Sequence, residues 1–401
     1  MSELSYRTAG ESHGPALIVL VEGLPAGLAV DIALVNAELR RRQGGFGRGG
    51  RMRIEKDAAT ILSGVRRGVT IGSPLVMQIP NADCRIDRAR QIPRPRPGHA
   101  DLAGALKWLT TDCRDVLERA SARETAARVA AGGLVRCLLR EFGVEAVGFV
   151  CEIGGIRASV ADDADPATLR AARDANEVYT PDAAAVESMI AAIRRAQADK
   201  DTLGGVVEVR VFGLPPGLGS CASWQQKLDG RLMQAVGSIQ AIKGVEIGLG
   251  FEAARRPGSQ VHDAIYFDPA QRGSSNFGFV RRTNRAGGLE GGMTNGQPLV
   301  VRAAMKPIST LLRGMDSVNL KTLAPERSDY ERSDICAVPA ASVVAENVVA
   351  FEVARAWLEK FGGDTLREVR AAYEHYANAA RGLTGDERRS GPDVPAAGAG
   401  G

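Results

Sequence analysis

The stretch ERASARETAARVAAGGLVRCLLREFG, residues 118–143, decides how this chain is layered. Ser121 followed by Glu124 has the form of a capping box, which places a helix start at Ser121, and Gly143 is the stop. Strand patterns lie on both sides of it: 16–22 (ALIVLVE), 145–153, 205–212 (GVVEVRVF), 245–249 and 298–304. Residues from 51, RMRIEKDAATILSGV, alternate like strands around a turn. Further helices are expected at 32–42, 99–109, 183–198, 223–236 and 338–361, the last with Pro339 in its first turn. Residues 85–98, RIDRARQIPRPRPG, hold too much proline for regular structure and read as a loop. Strands and helices mix without strict alternation, which predicts an α+β fold in layers and argues against a doubly wound sheet. No repeat period is visible, and the tail at 384–401 has nothing to pack and reads as disordered.

Composition narrows the function classes. The 401 residues are 44% hydrophobic and 24% charged, with a net charge of +4. That is ordinary globular composition, and the excess is too small for a dedicated nucleic-acid binder. Six cysteines at 84, 113, 137, 151, 221 and 336 show no CxxC, so neither a zinc site nor a disulfide framework is expected. No stretch approaches the length of a membrane span, and the first residues lack the pattern of a signal peptide. A cytoplasmic location and no membrane or nucleic-acid partner are therefore expected.

Positive charge is local. RRRQGGFGRGGR, residues 40–51, holds five arginines and five glycines with no acid. Guanidinium forks match phosphate and carboxylate, so the segment reads either as an RNA-binding element or as a clamp for one highly charged small molecule. An RGG-type element would recur in low-complexity surroundings, whereas this one occurs once between a helix and strands. His13 in GESHG and His99 in RPGHADL lie beside glycines, where backbone can approach a ligand and an imidazole titrates near neutral pH. His262 and His375 sit in ordinary surroundings. Ser121, Ala122 and Arg123 offer an anion free N–H groups at a helix start. The plainer reading there is a capped helix whose Arg119 and Arg123 pair with Glu118 and Glu124. KPIST, 306–310, offers one lysine and two hydroxyls after a strand, a weak phosphate grip. GGLEGGMTNG, 287–296, is either a flexible loop or backbone lying against a flat ligand. Asp334 in ERSDICAVPAAS is an N-cap candidate, which alone would explain it, and as a general base it would need a substrate proton within reach.

GESHG (10–14), RRRQGGFGRGGRM (40–52), RPRPGHADLAGALKW (94–108), ERASARETAARVAAG (118–132), KGVEIGLGF (243–251), GGMTNGQP (291–298) and RSDICAVPA (332–340) together resemble the chorismate synthase family. The likeness runs in order over roughly residues 1–365. It implies a lyase that removes phosphate and a ring C6 proton from 5-enolpyruvylshikimate 3-phosphate by anti-1,4-elimination, giving chorismate in the last step of the shikimate pathway. It also implies a requirement for reduced FMN with no net redox change, a single large β-α-β sandwich over residues 1–383, and a homotetramer. NADPH enters only if the protein reduces its own flavin; otherwise an external flavin reductase is the partner. A conventional FMN-dependent oxidoreductase acting on an anionic substrate is the alternative.

The same resemblance implies site residues. Ser12, Arg42, Arg48, Arg51, Ser121, Arg123 and Arg332 would bind the substrate, whose two carboxylates and phosphate carry about four negative charges. His13 would donate a proton as phosphate leaves, His99 would lie beside the flavin, and Asp334 would share in removing the C6 proton. FMN contacts would fall on Arg119, Ala120, Ser121, Gln240, Ala241, Gly291, Lys306, Pro307, Ile308, Ser309, Thr310 and Arg332. No metal is implied.

Overall fold

Two antiparallel sheets face each other across a layer of helices in the computed structural model, which describes residues 3–49, 56–331 and 333–383. The first sheet runs in the order Ser5–Ala9, Ala16–Glu22, Leu75–Pro80, Thr60–Ser63. Alternation in ALIVLVE turns Leu17, Val19 and Val21 inward, with Val19 opposite Met77. The second sheet runs Ile242–Ile247, Leu299–Met305, Gly205–Phe212, Glu145–Ile153, Ile156–Arg157. Val207, Val209 and Val211 point into its buried face, with Val209 opposite Val301.

In chain order the helices are α1 (Ile32–Gln43), α2 (Asp101–Lys107), α3 (Arg114–Ala120), α4 (Thr125–Arg140), α5 (Pro166–Asp174), α6 (Val186–Ala198), α7 (Leu228–Gly237), α8 (Val338–Lys360) and α9 (Leu366–Leu383). Helices α4 and α8 pack on each other, α4 against the first sheet and α8 against the second. Both are apolar nearly all round, as a helix must be when protein covers it on every side. The layers thus form the expected β-α-β sandwich. Glycines set the spacing where backbones meet. A Cβ on Gly132 of α4 would lie 2.3 Å from Asn347 Cβ of α8, and one on Gly148 would lie 2.5 Å from the Ser342 carbonyl.

One polar cluster sits inside this apolar layer. The Glu346 carboxylate of α8 accepts from Arg41 Nη2 at 2.5 Å, Arg173 Nη1 at 3.0 Å and the Gly148 N–H at 3.0 Å, with Arg136 at 2.9 Å. Glu38 joins it, pairing with Arg41 at 2.6 Å and Arg136 at 2.8 Å. Burial alone would raise the Glu346 pKa, but Arg41, Arg136 and Arg173 hold it down to about 2. A buried charge needs such partners. Because Arg41 lies in the last turn of α1, the cluster fixes that turn to α8.

Several local expectations need correction. The helix read as starting at Ser121 has another directly before it: α3 ends at Ser121, which is extended (φ −63°, ψ 141°), and α4 starts at Thr125 after a 3-10 turn. Ser121 does cap that turn, accepting from the Arg123 N–H, but Glu124 turns to Thr8, Arg128 and Gln240, so no reciprocal box forms. Arg119 and Arg123 do not pair with Glu118 and Glu124; Arg119 bonds Thr8 and Gly10, and Arg123 bonds Asp57. Asp334 is not an N-cap: α8 begins at Val338 behind Ala337, without a side-chain cap. Helices α3, α5 and α9 and the strand Ser5–Ala9 were not anticipated. Of the strands expected from 51, the described residues show Thr60–Ser63 and, after Gly64, Val65–Arg66, and 51–55 and the tail lie outside the described residues.

Candidate functional site

Seven separate segments close around one cavity of about 500 Å³ at the end of the sandwich. They are the Ser12–His13 turn between the first two strands, the end of α1 with its following loop, the 83–100 loop, the α3–α4 junction, the 239–241 turn, the 305–310 segment, and the approach to α8. Its apolar wall includes Ala120, Ile239, Ala337, Ala340, Ala341 and Val344. Arg42, Arg48, Arg85, Arg96, Arg123 and Lys306 supply its cations. An apolar pocket with a few convergent polar groups is the usual form of a small-molecule site.

Arg42 and Arg123 form a buried pair on one carboxylate. Arg42 donates to Thr125 Oγ1 (2.9 Å), the Ala122 carbonyl (2.9 Å) and Asp57 Oδ2 (3.2 Å). Arg123 donates to Asn81 Oδ1 (2.8 Å) and Asp57 Oδ1 (2.5 Å). Burial pushes the Arg42 guanidinium down to about 10; Asp57 opposes this, while Arg48 and Arg123 add to it. It stays charged at neutral pH, and Asp57 bridges the two guanidinium groups beside the cavity.

The Arg/Gly loop after α1 is fastened to the segment before α8. Asp334 accepts from Arg48 Nη1 at 2.8 Å and from the Gly49 N–H at 2.7 Å, and the Ile335 N–H donates to the Gly47 carbonyl at 2.9 Å. Gly47 has φ +90°, and a Cβ on Gly49 would lie 2.6 Å from the Ser333 carbonyl, so glycine is required at both.

Each histidine of the site leans on a buried acid. Glu118 accepts from the His13 backbone N–H at 2.8 Å and lies 2.9 Å from its Nδ1, while Nε2 stands 3.8 Å from Asp83. Glu118 is held below the usual carboxylate range: burial would raise it, but hydrogen bonds from His13 outweigh that. His99 contacts Asp101 closely through Nδ1. Asp101 also takes Arg96 Nε at 2.7 Å and is likewise held down, its burial outweighed by His99 and Arg96. Arg96 Nη1 donates to Thr310 Oγ1 at 3.0 Å.

The 305–310 segment closes the opposite side. Lys306 Nζ donates to Ser309 Oγ at 2.7 Å, and Ser309 Oγ donates to the Gly98 carbonyl at 2.8 Å. Burial, helped by Lys243, lowers the Lys306 pKa. The Gln240 amide donates to Glu124 at 3.1 Å, and its buried Oε1 has no hydrogen-bond partner among the described residues.

The structure thus brings His13, His99, Asp334, Ser12, Arg42, Arg48, Ser121, Arg123, Ala120, Gln240, Ala241, Lys306, Ile308, Ser309 and Thr310 to one lining. Arg119, Gly291 and Pro307 are not on it; Gly291 lies in the turn between Leu289–Glu290 and Met293–Thr294. Arg51 and Arg332 lie outside the described residues. Asp57, Asn81, Asp83, Arg85, Arg96, Asp101, Glu118 and Glu331 were not anticipated. Asp101 and Arg96 had a readable signal, flanking His99 within five residues; Asp57 and Glu118 had none, because Arg42 and His13, the site residues they hold, lie 15 and 105 residues away.

The family model described as chorismate synthase matches residues 4–358. The chorismate synthase of Desulforamulus reducens is 56% identical over 380 residues, 92% of this chain and 97% of that protein. That of Geobacter sulfurreducens is 55% identical over 393 residues, 94% and 99% of the two chains. A crystal structure of chorismate synthase superposes with a TM-score of 0.78 at 42% identity, covering 95% of this chain and 99% of that one. Matched in sequence and in fold over nearly its whole length, the chain belongs to the chorismate synthase family of lyases.

Proposed function

We propose that this protein removes phosphate and the C6 proton from 5-enolpyruvylshikimate 3-phosphate by 1,4-elimination, giving chorismate, with reduced FMN as its cofactor. The observation that carries the proposal is the single cavity in which the Arg42–Asp57–Arg123 array, Arg48 and two acid-backed histidines converge. A substrate with two carboxylates and a phosphate needs several cations if it is to leave water. Arg42, Arg48 and Arg123 supply them, and Ser12 and Ser121, whose hydroxyls lie 3.0 Å apart, add polar contacts.

The residues present fit a flavin. The apolar wall of Ala120, Ala337, Ala340 and Ala341 suits a flat ring, and the partnerless Gln240 Oε1 is an acceptor of the kind an imide N–H needs. Lys306, Ser309 and Thr310 would hold its polar parts, and His99 would lie at its edge. When bound, reduced FMN would supply an electron-rich ring that lends and recovers electron density, consistent with a reductant needed but not consumed.

The protein's own part is proton placement and charge. His13, with Nδ1 on Glu118, presents Nε2 as the donor to the departing phosphate. Asp334, steadied by Arg48 and Gly49, takes part in removing the C6 proton. The enclosing loops exclude water from the reacting groups.

We place the enzyme in the cytoplasm, where its six unpaired cysteines are compatible with a reducing environment, as a homotetramer supplied with reduced flavin by a separate reductase. Anaerobic assay with chemically reduced FMN, beside a tube with oxidised FMN and NADPH, tests the reading. Chorismate is expected in the first tube only. Product in both tubes would give the protein its own flavin reduction, and stoichiometric flavin oxidation would identify an oxidoreductase. No product from folded, flavin-binding protein overturns the proposal.

A further inference from the structure

We infer that Asp101 is a positioning residue: it fixes the ring of His99 as the Nδ1–H tautomer and turns Nε2 to the cavity as the working nitrogen. The inference rests on the function proposed for the cavity and specifies how one of its histidines is set.

Asp101 is the first residue of α2 and is fully buried. An acid in the first turn of a helix ordinarily explains itself by capping free N–H groups or by meeting the helix dipole. Here the cap is Ala100, with no side-chain bond, and the Asp101 carboxylate turns elsewhere. Oδ2 accepts from the Arg96 backbone N–H at 3.0 Å and from Arg96 Nε at 2.7 Å; Oδ1 accepts from Arg96 Nη2 at 3.0 Å and meets His99 Nδ1. Among the described residues, all of its hydrogen bonds go to Arg96 and His99.

Counting donors fixes the proton. The guanidinium of Arg96 has only donors; its Nη2 stands 3.0 Å from His99 Nδ1 and 3.4 Å from Nε2 but donates to Asp101 Oδ1 at 3.0 Å, so its nearness to the ring requires no lone pair on Nδ1. A bare Nδ1 lone pair pressed on the Asp101 oxygen would be repulsive, so the proton between them belongs to Nδ1. Neutral His99 then has Nε2 as its unprotonated nitrogen, and charged His99 gives up its proton from Nε2. Arg96 is held in turn by Thr310, and Ser309 bonds the Gly98 carbonyl, so the same set of bonds ties His99 to the segment proposed to hold the cofactor. A carboxylate that sets the tautomer of a catalytic imidazole is a general device, and removing it can cost orders of magnitude in turnover.

The test uses Asp101→Asn, His99→Ala and the double variant of the full-length protein. Asp101→Asn should lower kcat by about 10²-fold in the wild-type background. In the His99→Ala background it should change kcat by less than about threefold, because the residue acts through a ring that is gone. Equal losses in both backgrounds would show that Asp101 serves only to anchor Arg96 or α2, and the inference would fail. The second readout is the ¹⁵N spectrum of histidine-labelled wild-type protein above pH 8, without substrate or flavin. A neutral His99 ring protonated at Nδ1 is expected, and one protonated at Nε2 overturns the inference even if Asp101→Asn does not fold. Wild-type protein that forms no chorismate would refute the proposed function, while the tautomer result stands independently of it.

Discussion

Replacing Glu346 by glutamine is a sharp test of the buried charge cluster. The carboxylate, at 0% exposure, meets Arg41, Arg136 and Arg173. Its pKa is held at about 2 against an ordinary 4.5. At about 1.4 kcal/mol per pH unit of depression, that difference corresponds to roughly 3 kcal/mol of native-state stabilisation. The mutational route gives a similar figure, since removing one member of a buried ion pair typically costs about 3–5 kcal/mol. Glutamine keeps an acceptor for the Gly148 N–H but leaves Arg41 and Arg136 with Glu38, and Arg173 with Asp174, as their nearest acids, so a loss of about 3 kcal/mol is expected. Equilibrium urea unfolding at fixed protein concentration measures it. The sign of the pH dependence follows from the depressed pKa: the contribution is fully present above pH 4.5 and is lost as pH falls towards 2. The gap between wild type and Glu346→Gln should therefore narrow as the pH is lowered below 4.5. A gap under about 1 kcal/mol at pH 7, or one that does not narrow, would refute this account of the cluster.

Other outcomes follow from the cavity and its frame. Arg48→Ala removes a charge-assisted donor worth about 1.5–3 kcal/mol and should weaken substrate binding by roughly 10- to 100-fold, read by equilibrium titration; unchanged affinity would take Arg48 out of the clamp. His99→Ala should keep the fold, checked by circular dichroism, while anaerobic turnover falls about 10²–10⁴-fold; near-normal turnover would end its proposed role. Gly132→Ala improves helix propensity by about 1 kcal/mol, but the new methyl would lie 2.3 Å from Asn347 Cβ and 2.4 Å from its carbonyl oxygen. Backbone on α8 cannot swing aside, so a net loss of about 1–2 kcal/mol in urea unfolding is expected, and a gain would show that α4 and α8 slide freely.

The sequence was most legible where the pattern is local. ALIVLVE and GVVEVRVF alternate because one face of each meets the helical layer, and both were found as strands. Helix α8 was placed within a residue or so of its ends. Boundaries failed where side chains had distant partners. Ser121–Glu124 looks like a capping box, but Thr8 and Gln240, more than a hundred residues away, draw Glu124 off. Asp334 looks like an N-cap until the Arg48 loop arrives to claim it. Helix α9 buries only Val369 and Ala377 outright, too thin a stripe to stand out among its charged neighbours. Asp165 before Pro166 was a readable start for α5 that went unread. In the site, glycine neighbours marked His13 and His99, but the acid behind His13 comes from α3, and nothing in GESHG announces it.

The central position of α8 has a consequence for how the protein is made. Synthesis delivers both sheets and α4 first, yet the helix that fills the space between them ends at Lys360. Until then Val207, Val209 and Val211, and the α4 face around Gly132, lack their partner. At about 5–20 residues per second, a nascent chain spends roughly tens of seconds with that interior open to solvent. His13 emerges near the beginning and Asp334 near the end, so no shortened product ending before α8 has a closed cavity. Such fragments would present sticky sheet faces to one another, and the cell's holding chaperones, more than the fold's final stability, would set the yield of finished enzyme.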